Sequence, residues 1–298
     1  MTKTSFLGDQ PVSQIGYGAM QLAGPGVFGP PRDKAEAIAV LRRAVELGVD
    51  HIDTAQFYGP DVVNDLIREA LHPYADGLKL VTKVGARRDD KAAWLPADRP
   101  EELRDQVEQN LRSLGIEQIE LVNIRLMDDQ HPSDVPLADK VEAIKALVDE
   151  GKVRQIGISN ASLEHVQEAL ALTPLGEIQN AYSVANRKDE AVLDLCREHG
   201  ISYVPYFPLG SAFAGGPKAL AADPVIAGVA EKHGVSASQI ALAWLLAHYD
   251  RMLLIPGTSS VAHLEENLAV GDIALDADDL TQLEGATQLG DPMAAVQH

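Results

Sequence analysis

Short apolar, β-branched runs alternate along this chain with amphipathic stretches of helical period. The runs fall at residues 14–17, 49–53, 79–84, 119–124, 153–158, 177–179, 201–204 and 251–255. Most are nearly continuous in Val, Ile and Leu, as strands covered on both faces are. Between them, apolar residues recur three and four apart, bracketed by start and stop signals. Asp33-x-x-Glu36 reads as a capping box ahead of Ile38, Leu41 and Val45, and Gly48 ends that helix. Pro100 stands at a first helical position before Leu103, Val107, Leu111 and Leu114, and Gly115 stops the run. Val141, Ile144 and Val148 repeat the pattern before Gly151. Ser162 heads a helix with Leu163, Val166 and Leu170 inward. Leu193 and Cys196 precede Gly200, and Leu242, Trp244 and Leu245 mark a later helix.

The run starts extend from residue 14 to residue 251, a mean spacing of about 34 residues, the size of one βα unit. Eight such units predict an α/β protein, a (β/α)8 TIM barrel, with residues 1–298 forming one domain. A helical solenoid of similar period is disfavoured by the β-branched runs and by the lack of a repeated residue pattern. Residues 6–12 predict a small N-terminal β-hairpin. Residues beyond 271 predict a short C-terminal helical tail with a frayed end at 291–298.

Composition narrows the class. Hydrophobic residues make up 46% and charged residues 23%, the balance of an ordinary globular chain. The longest apolar stretch, residues 240–247, falls short of the roughly 18 residues a membrane span needs. The N-terminus lacks the apolar centre of a signal peptide. One cysteine, Cys196, cannot form an internal bridge, so a cytoplasmic location is expected. A net charge of −19 argues against nucleic-acid and anionic-membrane partners. A phosphate-bearing ligand would need local donors working against that field.

In such barrels the residues just after each strand build the active site. Here those positions carry Asp53 with Tyr58, Lys83, Asn123 with Arg125, Ser159 with Asn160, Gln179, Tyr206, and the segment Gly257-Thr258-Ser259-Ser260. An Asp–Lys pair at strand ends is often only structural. Beside a tyrosine it has a chemical use. A phenol is too weak an acid at neutral pH, a nearby ammonium favours its ionised form, and the carboxylate holds that ammonium in place. The tyrosine can then act as general acid to a carbonyl oxygen. No His, Cys or Asp cluster has metal-ligand spacing, so no metal is expected.

Asp53-x4-Tyr58 with Lys83 resembles the catalytic core of the aldo-keto reductases. So do the run from Gly151 to Asn160, Gln179-Asn180-x-Tyr182-Ser183, Pro208-Leu209-Gly210, and the stretch from Ile255 to Asn267. These motifs fall in order along essentially the whole chain. The resemblance implies the same barrel and reversible hydride transfer between NADPH, sometimes NADH, and a small aldehyde or ketone. It implies Tyr58 as proton donor, Lys83 as its partner, and Asp53 as the group that orients Lys83. Ser159, Asn160 and Gln179 would bind the nicotinamide carboxamide, and Tyr206 would stack beneath the ring. Leu209 and Ser211 would line the pyrophosphate. Thr258, Ser259 and Ser260, ahead of the last barrel helix, would take the 2′-phosphate, as helix N-termini take anions. Glu266 and Asn267 would contact the adenine.

Two departures stand out. Where the family has a histidine at the end of strand four, this chain has Arg125, a permanent cation that only donates hydrogen bonds. It can polarise a carbonyl or pair with a substrate anion. Where many members grip the 2′-phosphate with a lysine and an arginine, this chain has Gly257 and His263. The Asn123-x-Arg125 variant, the opening from Gly16 to Pro31, and Gly85-Ala86-Arg87-Arg88 resemble a bacterial subgroup of the family that reduces pyridoxal to pyridoxine. Gly24-x-Gly26-x-x-Gly29 matches a dinucleotide fingerprint literally, but its prolines and the later helix start argue against that use. It reads instead as a mobile loop over the pocket mouth, with Met20, Gln21 and Phe28, beside Asn123 and Arg125, as substrate contacts. A general carbonyl reductase, a lyase using Lys83 as a Schiff base, and a nucleotide-binding regulatory barrel with little turnover remain alternatives at this level.

Overall fold

The computed structural model describes residues 3–127, 133–210 and 216–289. The chain opens with a hairpin of β1 (Thr4–Leu7) and β2 (Gln10–Ser13), then β3 (Tyr17–Gly18). There follow α1 (Lys34–Glu46), β4 (His51–Asp53), α2 (Val62–Leu71), β5 (Lys79–Arg88), β6 (Trp94–Ala97), α3 (Pro100–Leu114) and β7 (Ile119–Arg125). Next come α4 (Leu137–Asp149), β8 (Val153–Ser159), α5 (Leu163–Leu172), β9 (Glu177–Ala181), α6 (Glu190–His199) and β10 (Ser202–Tyr206). Five helices complete the described chain: α7 (Gly216–Ala222), α8 (Pro224–His233), α9 (Ala237–His248), α10 (Val261–Leu268) and α11 (Ala277–Leu283).

Seven parallel strands run in the order β3, β4, β5, β7, β8, β9, β10. The eighth predicted run closes the ring. Met252 bridges Tyr203 of β10, and Leu254 bridges Ile15 beside β3, both in parallel sense. Gly16 N–H donates to the Leu254 carbonyl and Leu254 N–H to that of Gln14, each at 2.8 Å. First and last strand approach closely because both carry glycine. A Cβ on Gly18 would lie 2.4 Å from the Ile255 carbonyl oxygen, and one on Gly257 would lie 2.7 Å from that of Gly18.

The helix punctuation acts largely as the pattern predicts. Gly115 and Gly200 adopt left-handed φ at their helix ends, and Ser162 accepts from His165 N–H. Two features differ. The Asp33 side chain accepts from Glu36 N–H at 3.0 Å, but the Glu36 carboxylate does not return to it. It accepts instead from Val261 N–H at 3.2 Å, tying α1 to the start of α10. And β5 runs on past residue 84 to Arg88, pairing antiparallel with β6. The polar stretch from Arg87 reads as loop, whereas Gly85, at φ +107°, lets the strand pass where a Cβ would meet the Arg125 carbonyl at 2.5 Å.

Strand alternation stacks the barrel interior in rows. At the bottom, Val81, Leu121, Val204 and Leu253 pack with Leu7 and Val12, so the hairpin plugs the N-terminal end. Two residues further along the strands, Lys83, Asn123, Gly157 and Glu177 stand in register. Above them come Arg125, Ser159 and Gln179, again register partners. The interior thus changes from apolar to polar on rising toward the C-terminal face. No helix of the described residues is long and apolar enough to cross a membrane.

Candidate active site

Asp53 ends β4, Lys83 projects from the middle of β5, and Tyr58 sits on the turn after β4; all three are buried. Lys83 Nζ donates to Asp53 Oδ1 at 2.5 Å and to the Thr54 carbonyl at 3.2 Å. It lies 5.2 Å from the centre of the Tyr58 ring. Burial tends to strip the charge from Lys83, but Asp53 and Tyr58 outweigh it and hold the ammonium above the ordinary lysine range. Lys83 is therefore a cation, which removes the Schiff-base reading, since that chemistry needs a neutral amine. Burial pushes the Tyr58 phenol up, Asp53 adds to this, and Lys83 and Arg125 pull it back; the balance stays above the ordinary value. Tyr58 thus carries its proton at neutral pH, under the influence of two cations.

The row above supplies donors. Gln179 Nε2 donates to Asp53 Oδ2 at 3.0 Å. Asn160 takes a left-handed φ of +58°, donates to the Leu126 carbonyl at 2.9 Å and accepts from the Tyr206 hydroxyl at 2.8 Å. Ser159 Oγ is buried with no hydrogen-bond partner, and so is Arg125 Nε, among the described residues. Buried polar atoms are almost always paired, so two orphans on register partners of adjacent strands are where a polar ligand would be taken up.

A wall invisible to motif reading flanks Arg125. The Trp94 ring lies 5.9 Å from the Arg125 guanidinium and 4.2 Å from that of Arg88. Phe57 meets Trp94 edge-on at 5.4 Å, and Phe28 lies 5.4 Å from the Arg88 guanidinium. The loop carrying Phe28 is tied down rather than loose. Arg88 donates to the carbonyls of Val27 at 2.9 Å and Gly26 at 3.0 Å, and across to the Tyr58 turn Gly29 N–H donates to the Gly59 carbonyl while Gly59 N–H donates to that of Val27. The expectation of a mobile loop is corrected accordingly: it is clamped to the turn that carries the phenol.

Other predicted contacts fall in two groups. Asn123 is fully buried in the barrel interior, level with Lys83, and donates to Glu177 at 2.6 Å. Met20 is half-buried; Gln21 packs against the position a Gly257 Cβ would take, near the last strand. Thr258 is buried, its carbonyl accepting from Tyr17 at 2.6 Å and its hydroxyl from Ser260 N–H at 3.1 Å. Gly257, Ser259, His263 and Glu266 are exposed around the start of α10, with Ser260 and Asn267 half-buried. Leu209 packs at the core's edge. Ser211 lies outside the described residues. Trp94 went unnoticed in the sequence, Arg88 entered only within the Gly85–Arg88 motif, and Glu177 only as the first residue of a predicted run. The two-residue alternation that places Lys83 and Asn123 inward is the signal that could have found Glu177.

A closed barrel with a buried Asp–Lys pair beside a tyrosine is the arrangement of a carbonyl-reducing oxidoreductase, and the chain belongs to the aldo/keto reductase family, whose profile matches residues 14–288. It is 46% identical to the pyridoxine 4-dehydrogenase of Escherichia coli K12 over 96% of this chain and 99% of that protein. It is 31% identical to probable aldo-keto reductase 1 of Glycine max, over 94% and 87% of the two chains. Among solved structures, an aldo/keto reductase from Klebsiella pneumoniae in complex with NADP and acetate matches with a TM-score of 0.78. The two are 29% identical, over 96% of this chain and 95% of that one.

Proposed function

We propose that this chain reduces the aldehyde of pyridoxal to the alcohol of pyridoxine with NADPH, and runs the reverse reaction when product accumulates. When bound, the nicotinamide supplies the hydride; the chain's own residues do the rest. Tyr58 gives its proton to the carbonyl oxygen, Lys83 eases the phenolate left behind, and Asp53 anchors Lys83. The orphaned Ser159 hydroxyl fits a nicotinamide carboxamide, with Asn160 and Gln179 beside it and Tyr206 as the shelf for the ring. The exposed Ser259 and half-buried Ser260 at the start of α10, with His263, Glu266 and Asn267, suit the nucleotide's phosphate and adenine. Relatives named for pyridoxine and for NADP support the same assignment.

The observation that carries the substrate class is Arg125. Its buried, unpartnered Nε stands beside Trp94, close enough to act on the Tyr58 phenol. A ring with an ionisable hydroxyl next to its aldehyde satisfies both the guanidinium and the flat indole. A charge-assisted hydrogen bond of about 1.5–3 kcal/mol corresponds to roughly 10- to 100-fold in kcat/KM. NADPH oxidation with pyridoxal should therefore outrun that with pyridine-4-carbaldehyde, which lacks the ring hydroxyl, by that factor. Arg125→Leu should erase the difference. Equal rates on both aldehydes would leave a general carbonyl reductase, and NADPH binding without turnover would leave a regulatory barrel.

A further inference from the structure

The interior row holds a carboxyl group that the Asp53–Lys83–Tyr58 trio does not itself use. Glu177 is 2% exposed and begins β9, beside Gly157 of β8 and Ser202 of β10. Asn123 Nδ2 donates to Glu177 Oε1 at 2.6 Å, and Gln179 Nε2 reaches the same oxygen at 3.4 Å. That Gln179 nitrogen also donates to Asp53 Oδ2, while the other Asp53 oxygen takes Lys83. Gly157 makes the arrangement possible, since a Cβ there would lie 2.3 Å from Asn123 Oδ1. A continuous chain of contacts thus runs from Asn123 through Glu177, Gln179, Asp53 and Lys83 to the phenol.

The charges facing Glu177 are few. Asp53 acts from β4 and Lys83 from β5; Asn123 on β7 and Gln179 on its own strand are neutral donors; Gly157 and Ser202 add no charge. One ammonium therefore serves two buried carboxyl groups, and it is already paired with Asp53.

We propose that Glu177 is a positioning residue for proton transfer, holding Gln179 against Asp53 and setting by its own charge how strongly Lys83 acts on Tyr58. Protonated, it leaves one carboxylate against one ammonium. Ionised, it adds a second negative charge to the buried pair, and Tyr58 then holds its proton more tightly. Burial pushes Glu177 up to about 7, with Asp53 adding and Asn123, Lys83 and Gln179 opposing, so the change of charge falls in the neutral range. The proposal rests on Tyr58 being the proton donor.

The test is the pH dependence of kcat in both directions, for wild type and Glu177→Gln. The wild type should show an inflection near neutral pH that the variant lacks. In the variant the limb of alcohol oxidation, which needs the Tyr58 phenolate, should move to lower pH. Superimposable profiles would overturn the proposal. An infrared titration of the wild type covers a variant that fails to fold. A protonated buried carboxyl band should vanish as pH rises through about 7; its absence at low pH would overturn the proposal as well. Tyr58→Phe run alongside separates the two layers of the argument. Full turnover in that variant would sink the proton-donor reading itself, whereas an inactive Tyr58→Phe with superimposed Glu177 profiles sinks only the role of Glu177.

Discussion

Among the described residues, two buried lysine–aspartate pairs have nearly identical dimensions. Lys83 meets Asp53, and Lys140 meets Asp98, each at 2.5 Å with side chains only 5–6% exposed. Their surroundings differ. The Lys140–Asp98 pair lies outside the barrel, joining α4 to the segment that follows β6, and Lys140 also donates to the Ser133 hydroxyl at 3.2 Å. The Lys83–Asp53 pair lies inside the barrel at the C-terminal strand ends, with a phenol beside it and unpaired donors above it. Under the proposed function, the same ion pair is a clamp in one place and proton-transfer machinery in the other. What distinguishes them is the company of Tyr58 and of the unpaired donors, not the distance or burial of the pair.

The sharpest way to break this comparison is Tyr58→Phe. Removing a general acid costs about 100- to 10,000-fold in kcat. NADPH affinity, read by fluorescence quenching, should stay within a few-fold, because the phenol hydroxyl is assigned to the proton and not to the nucleotide. No counterpart of this substitution exists around Lys140, where there is no phenol to remove.

Next in size is the cost of breaking either pair. Lys83→Met and Lys140→Met each leave a buried carboxylate alone, which costs about 3–5 kcal/mol. Denaturant unfolding should show losses of that order in both variants. On stability alone the two pairs should be hard to tell apart.

A smaller effect probes the interior row. Glu177 has a folded value raised from the ordinary 4.5 to about 7. A raised acid favours folding in its protonated form. Its contribution is therefore fully present below about pH 4.5 and is lost as pH rises through about 7. Compared with Glu177→Gln, the wild type should lose on the order of 3 kcal/mol of stability across that window, at 1.36 kcal/mol per pH unit. Parallel stability curves for the two proteins would mean that Glu177 is ionised throughout and that Lys83 neutralises both carboxylates.

Much of this was legible in the chain. The eight runs, the hairpin and the glycine stops read directly, because strand burial and helix capping are local properties of sequence. Asp53, Tyr58 and Lys83 were legible because strand ends in a barrel converge. The β5–β6 hairpin was not, since Arg87 to Asp90 is polar and the extension depends on Gly85 slipping past the Arg125 backbone. Trp94 escaped for the same reason: it lies on that hairpin, and only tertiary packing brings it between Arg88 and Arg125. Glu177 was legible only as the first residue of the run 177–179; strand register is what sets it level with Lys83 and Asn123 inside the barrel. Asn123 was legible as a strand-end residue, but its bond to Glu177 was not, because that depends on the same register.

The measurement that bears most directly on the central claim is kcat for pyridoxal reduction by Lys83→Met and Lys140→Met, taken side by side at a temperature where both are folded. The account predicts that Lys83→Met loses about 100-fold or more, as expected for a group that tunes a general acid, while Lys140→Met stays within about twofold of wild type. Equal losses in the two variants, or full activity in Lys83→Met, would contradict it.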